Sequence, residues 1–410
     1  MAQLPQIHSV HASQRGAMGA PTPQRPERPA LLSLVNWPFV LVVALLVGYG
    51  LLVCWSAVYG DEKYSFNRQL AGVGVGVVLM VLLWHFDYRR LANMTTALLV
   101  INVVLILSPH LPVIGVNAKG AQSWINIGMQ VQPGEFAKVT VVLFAASLLA
   151  RYQGMLDDWR EYCKVLGLAL VPFACIMTQP DLGTGLVYLA ICATIMVMGG
   201  AKARYLLITL AAGILAIVAV FAVDELLKYQ LEDGTWEYRL LKNYQRSRLL
   251  VFLNPEGDLS GDGYNLAQAK IAIGSGGLFG KGLLNATQST HGFLPEAPTD
   301  FIFCVLAEEM GFAGVVVLIA LYAALIVLCL SIARGADDLF GMLIVMGVIG
   351  MWLFQILENI GMDVGLMPIT GIPLPFMSYG SSFMVVNFAL LGLIGSVWSH
   401  HTVQGRKAVS

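Results

Sequence analysis

The sequence predicts an all-α integral membrane protein of about ten transmembrane helices, with a large extracytoplasmic loop between the seventh and eighth. Three observations carry that expectation. The 410-residue chain is 57% hydrophobic and only 12% charged, about half the charged fraction of a soluble domain. Its mean hydropathy is +0.72. Its apolar residues also come in long blocks. Val40 to Val53, Ala71 to Leu83, Leu182 to Met198 and Leu206 to Val223 contain no Asp, Glu, Lys or Arg, and with their flanks such blocks reach the roughly 20 residues that cross a bilayer core.

In chain order, residues 1–36 are polar and rich in proline (Pro21, Pro23, Pro26, Pro29), the composition of a disordered tail, here cytoplasmic. The first apolar run starts too far from Met1, and runs too long, for a cleaved signal peptide. Spans are expected at 37–58, 68–86, 91–109, 134–150, 164–179, 182–200, 204–223, 299–332, 339–361 and 382–399. The eighth is long enough to tilt, or to bend at Gly311 and Gly314. Residues 37–400 thus read as one membrane domain, followed by a cytoplasmic tail at 401–410.

Lys and Arg set the orientation. With the N-terminus inside, the inner segments hold Arg89, Arg90, Arg151, Arg160, Lys164, Lys202, Arg204, Arg334, Arg406 and Lys407, whereas the short outer loops hold only Lys63, Arg68 and Lys119. Both termini are therefore expected inside. The outer side carries the long connections 110–133, 224–298 and 362–381, and loops of that length are usually functional or disordered. Their aromatic, glycine and apolar clusters favour function, so the working face is expected outside. A net charge of −1 without a basic tract gives no reason to expect nucleic acid. The six cysteines lie mostly inside apolar runs without metal-ligand spacing and read as small core residues.

Charged residues at or inside spans are the candidates for chemistry. Asp300 opens the eighth span after Pro298 and Thr299. Thr299 suits an N-cap, which would hold Asp300 at the outer boundary beside the positive helix end, as a capping acid or a catalytic one. Glu308 and Glu309 lie roughly 12–14 Å deeper and point in different directions; an ion pair and a functional role both fit. Glu135 and Lys138 are i, i+3 neighbours at the start of the fourth span, either as structural glue or as the lining of a polar site shared with Asp300. The Gly-rich stretch 270–282, bracketed by Lys270 and Lys281, could meet an anion through backbone N–H groups and lysine charge, or form a tight re-entrant turn. It lacks the phosphate-loop pattern of nucleotide sites. Pro373 and Pro375 break any helix through 371–382, leaving an irregular wall that could offer Ser378, Ser381 and Ser382 as hydrogen-bond donors. No serine elbow or His/Asp partner accompanies them, and His291 is at most supportive.

At these motifs the chain resembles the SEDS family (shape, elongation, division and sporulation), the group containing RodA and FtsW. The likeness covers 35–400. It is carried by Gly120-Ala-Gln-Ser-Trp124-Ile, Gln132-Pro-Gly-Glu-Phe-Ala-Lys138, Gln179-Pro-Asp-Leu-Gly-Thr184, Phe252-Leu-Asn-Pro-Glu256, Gly263 to Gln268, Lys270 to Gly282, Phe293 to Phe303, Ala307 to Gly311 and Gly371 to Ser382. The wording of 271–282 and 359–362 is nearer RodA than FtsW. The resemblance implies an inverting peptidoglycan glycosyltransferase that polymerises lipid II on the outer face of the bacterial cytoplasmic membrane. It also implies a class B penicillin-binding protein as transpeptidase partner, within the elongation or division machinery. Carried over by motif, Asp300 matches the essential aspartate, Glu135 and Lys138 the acidic and basic pair of the central cavity, and Trp124 the first-loop tryptophan.

One carboxylate base suffices for an inverting displacement whose leaving group is a pyrophosphate. Asp300 is the expected base. Glu135, Lys138, Trp124, Lys270, Lys281, Ser378 and Glu308 are the expected substrate contacts. A divalent cation, Mg or Mn, would need oxygen ligands, which Asp300 and Glu135 could supply; no organic cofactor is expected. The competing classes are a flippase for lipid-linked precursor, which should often show inverted repeats where this sequence shows none, and an inactive scaffold, which would not require intramembrane acids.

Overall fold

The computed structural model describes residues 35–61, 63–111, 115–118, 121–126, 130–179, 181–230, 236–237, 261–290 and 292–409. Residues 1–34 of the expected tail 1–36, the motif at 252–256 and His291 lie outside them. Each expected span coincides with a helix. These are α1 (Trp37–Ala57), α2 (Phe66–His85), α3 (Thr95–Leu107), α4 (Pro133–Ala150), α5 (Trp159–Met177), α6 (Leu182–Met198) and α7 (Ala203–Leu226). After α8 (Asp262–Ser275) in the long loop come α9 (Ile302–Arg334), α10 (Leu339–Val364) and α11 (Ser381–Val409). Seven of them, α1, α2, α4, α7, α9, α10 and α11, are long and apolar enough to cross a membrane. Residues 401–409 of the expected C-terminal tail continue α11 as helix.

The fold is mostly helical, but not all-α. Gly115–Ala118, Ala121–Asn126 and Gln130–Val131 form an antiparallel sheet in the order β1-β2-β3, and Tyr229–Gln230 pairs with Trp236–Glu237 as β4 and β5. Strands this short are held by pairing and by what they pack on, with too little alternation to announce them.

Helices α4, α10 and α11 form the interior, while α7 buries none of its apolar window. Lipid removes the hydrophobic drive between spans, so close approach and polar contacts join them. Asn102 of α3 donates to the Ala137 carbonyl at 3.0 Å and to Thr140 Oγ1 at 2.8 Å on α4. Gly392 of α11 lies so near α2 that a Cβ there would stand 2.7 Å from the Met80 carbonyl oxygen. Trp352 of α10 donates to Asn387 of α11 at 2.8 Å.

Helix α9 breaks at Gly311 (φ 66°, ψ −165°), a conformation only glycine adopts readily. A broken helix in lipid must find new partners for its backbone, and here the Gly-rich turn supplies them. The Phe312 and Ala313 amides donate to the Gly277 and Leu278 carbonyls at 2.9 and 3.0 Å, while the Lys281 and Gly282 amides each donate to the Glu308 and Glu309 carbonyls at 2.9 Å. A Cβ on Gly280 would stand 2.1 Å from the Glu309 carbonyl oxygen, so the turn has no room for any other residue there. Within 270–282, residues 270–275 finish α8 and residues 276–282 are a turn docked into a helix break.

Candidate active site

The N-terminal ends of α6 and α9 and the C-terminal end of α10 meet at the irregular segment 365–380. Asp300 sits at this junction, half-buried. It does not lie in the first helical turn, and Thr299 is not an N-cap: α9 begins at Ile302, and Thr299 Oγ1 turns back to the Glu296 carbonyl at 3.1 Å. That carbonyl also receives the Thr299 and Asp300 amides, at 3.1 and 3.0 Å. Glu296 itself sits at φ 56°, and its carboxylate accepts from Lys63 Nζ and Tyr64 Oη, each at 2.6 Å. Burial and that carboxylate together push the Tyr64 phenol up to about 12.

Two residues fix Asp300 against the wall. Asn359, fully buried on α10, donates through Nδ2 both to the Asp300 carbonyl at 2.7 Å and to the Ile372 carbonyl at 2.9 Å. Gly371, at φ 73°, lets the backbone pass so close that a Cβ would lie 3.0 Å from Asp300 Oδ2. On the other side of the same wall, Gly183 at the start of α6 packs against Thr370 and Ile372. Asp181 caps α6 through the Thr184 amide at 3.0 Å and accepts from Gln132 Nε2 at 3.3 Å, which ties α6 to the residue preceding α4. Sequence reasoning missed Asn359, Gly371 and Asp181 as site residues. Only Asp181 carried a local signal, as an acid opening an apolar helix.

Glu135 and Lys138 form a buried ion pair at 2.6 Å, with Lys138 1% and Glu135 6% exposed at the side chain. The Lys138 ammonium also lies 5.4 Å from the centre of the Phe383 ring. Glu135 Oε2, the Asn359 side-chain oxygen and both amide atoms of Gln355 are buried without a hydrogen-bond partner among the described residues. Gln355 and Asn359 are i, i+4 on one face of α10, the helix that packs on α4 and α6. This lining is rich in acceptors. Trp124 stands half-buried on β2, and its neighbour Ser123 donates to the Gln179 carbonyl at 3.5 Å, which holds the sheet by the C-terminal end of α5.

The remaining expected contacts separate. Lys270 is exposed on α8, and its ammonium lies against Gly365, the left-handed residue that ends α10 (a Cβ there would meet Nζ at 2.6 Å). That is the negative end of a helix dipole, beside the 370–372 wall. Lys281 and Glu308 are instead committed to each other, at 2.6 Å. Fully buried Glu308 also accepts from the Thr287 amide at 3.0 Å, Thr287 Oγ1 at 2.8 Å and the Gln288 amide at 3.3 Å. Glu309 accepts from Ser56 and from the Leu284 amide. Neither acid lines the Asp300 site; both clamp the loop after the Gly-rich turn. Ser378 is likewise buried, and its Oγ accepts from the Leu374 amide at 2.8 Å, so it shapes the wall instead of facing a ligand.

Of the two ligands expected for a divalent cation, Glu135 holds the Lys138 ammonium through Oε1, and among the described residues no three His, Cys, Asp or Glu side chains are placed to hold a metal ion.

With this geometry established, comparison with known proteins is decisive. The model of the cell cycle protein family FtsW/RodA/SpoVE matches residues 36–403. The chain belongs to that family. Among its relatives, the peptidoglycan glycosyltransferase MrdB of Escherichia coli K12 is 37% identical over 365 residues, covering 88% of this chain and 92% of that protein. Stage V sporulation protein E of Bacillus subtilis is 34% identical, covering 87% and 95%. Among solved structures, one described as showing structural coordination of polymerization and crosslinking by a peptidoglycan synthase complex matches with a TM-score of 0.73 and 31% identity, over 88% of this chain and 97% of that one. The rod shape determining protein RodA of Thermus thermophilus matches at 0.62 and 28%, over 89% and 96%. As an FtsW/RodA/SpoVE protein, this chain spans nearly the whole of each of them.

Proposed function

We propose that this membrane protein is an inverting peptidoglycan glycosyltransferase that polymerises lipid II into β-1,4 glycan strands, with Asp300 as its base. One observation carries the reading: Asp300 is held at its backbone by Asn359, and Gly371 passes close to its carboxylate, so the group is fixed and half-exposed at a junction of helix ends. Its carboxylate takes the proton of the acceptor sugar's 4-hydroxyl as that oxygen bonds to the donor's anomeric carbon. The bond from that carbon to the polyprenyl pyrophosphate breaks, and the pyrophosphate leaves with the electron pair. Water or buffer later takes the proton from Asp300.

The acceptor-rich lining of Glu135, Gln355 and Asn359 suits hydroxyl and amide donors of a sugar; an anionic pyrophosphate is better met by a cation. Of the lysines expected there, Lys138 and Lys281 are paired to carboxylates, which leaves Lys270 at the rim. The helix ends sort into two faces. Asp300, Trp124 and Lys63 share one, and we place it outside the bacterial cytoplasmic membrane, with both termini inside. A transpeptidase of the class B penicillin-binding type is the partner that would couple polymerisation to crosslinking, in elongation or division.

The test incubates the purified protein, alone and with that partner, with labelled lipid II. A glycan ladder from the wild type that is lost in Asp300→Asn supports the reading. A normal ladder from the variant removes Asp300 as base, and lipid II translocation without any ladder would install a flippase instead.

A further inference from the structure

A cleft of about 260 Å³ opens at the face opposite Asp300, lined by Met198, Leu330, Ala333, Arg334, Met342 and Met346. Met198 is the last residue of α6, Arg334 the last of α9, and Met342 and Met346 lie in the first two turns of α10. Helices α6 and α9 both pack on α10, so the cleft lies where their inner ends meet. Its walls are apolar, and three of its six lining residues are methionines, whose unbranched side chains conform to a flexible guest. Arg334 is the single charged residue among them.

The state of Arg334 suggests what the cleft takes. Three other basic residues at this end have acidic partners: Arg89 pairs with Asp337 and Asp338 at 2.9 and 3.1 Å, Lys164 with Glu161 at 2.6 Å and Lys202 with Asp157 at 3.3 Å. Asp337 also binds His401 at 2.6 Å, so the nearest carboxylates in sequence are engaged elsewhere. The exposed Arg334 has no acidic partner among the described residues, and makes one weak contact from Nε to the Leu330 carbonyl at 3.4 Å. A guanidinium offers a forked set of donors that matches phosphate oxygens. An uncompensated cation above an apolar slot at the membrane boundary is complementary to an anionic headgroup above an acyl chain.

We propose that this cleft is a binding site for an anionic phospholipid of the inner leaflet, with an acyl chain against Met198, Met342 and Met346 and the phosphate on Arg334. The site is separate from the Asp300 junction, and rests on the membrane reading and not on the glycosyltransferase one.

The test uses the full chain purified in detergent. Native mass spectrometry measures retention of dioleoyl phosphatidylglycerol against dioleoyl phosphatidylcholine, for the wild type, Arg334→Gln and Met346→Trp. One basic side chain near a headgroup corresponds to roughly fivefold in affinity. The wild type should keep one phosphatidylglycerol with about that preference. Arg334→Gln, at an exposed position, should bring the two lipids to near parity, and Met346→Trp should lose the tightly held molecule by filling the slot. Equal retention by the wild type, or a preference that survives Arg334→Gln, overturns the proposal. Lipid II polymerisation run on the same samples is independent: a chain inactive on lipid II yet selective for phosphatidylglycerol would sink the proposed function and leave this site standing.

Discussion

Asp300 and Glu308 lie eight residues apart, on either side of the start of one helix, and their surroundings are opposite. Glu308 is fully buried and saturated: an ammonium, two backbone amides and a hydroxyl point at its carboxylate. Asp300 is half-buried and held through its main chain, by Asn359 at its carbonyl and the Glu296 carbonyl at its amide. The difference separates an acid that the fold uses as a structural clamp from the one proposed as the base. In the first, the fold spends the carboxylate on itself. In the second, the fold grips the backbone, and the residue stays half-exposed at the junction.

That contrast can be broken most sharply at Asp300. Asp300→Asn should lower lipid II polymerisation by about 10²- to 10⁴-fold, the range for a lost general base, with no change in thermal unfolding beyond error. Glu308→Ala should do the reverse in kind. Removing one member of a buried ion pair costs about 3–5 kcal/mol, so the melting temperature should fall markedly, and Lys281→Met added to it should recover part of the loss. A Glu308→Ala protein of unchanged stability would show that its hydrogen bonds do not hold the loop. Asn359→Leu removes the donor that joins Asp300 to Ile372, and should cut kcat by about tenfold, near the value of one hydrogen bond to a positioning group, while lipid II binding changes less. Smallest of all, Lys63→Ala breaks an ion pair whose lysine is 59% exposed; such pairs contribute roughly 0–1 kcal/mol, so the shift in unfolding should be barely resolved.

How much of this was legible follows the range of the interactions. The spans were, because an apolar block is a local property and lipid leaves the backbone no alternative to helix. The bend was too, since Gly311 stands where a long apolar run can break. The small sheet was not: Val116 faces Trp124 across a turn, and nothing in four or six residues marks a strand of that kind. Thr299 looked like a cap from its neighbours alone, yet its hydroxyl donates to the Glu296 carbonyl, three residues back. An ion pair was one of the two readings open for Glu308, but its partners come from residues 281–288, 20 or more positions away, and no spacing rule reaches that far. Gly371 meets Asp300 across 71 positions, so its role is visible only once the wall is folded.

The break at Gly311 also separates two kinds of registry. Residues 302–310 take their position from the docked turn 277–282, whereas residues 312–334 take theirs from the neighbouring spans. A single residue inserted near position 320 would rotate the lower part by about 100° relative to what precedes it and disturb packing at that level, yet the phase of the Asp300 segment would be preserved. The same insertion at 279 would shift the turn against the break and carry the acid with it. The fold thus keeps the alignment of its reacting end independent of how its anchoring end is wound.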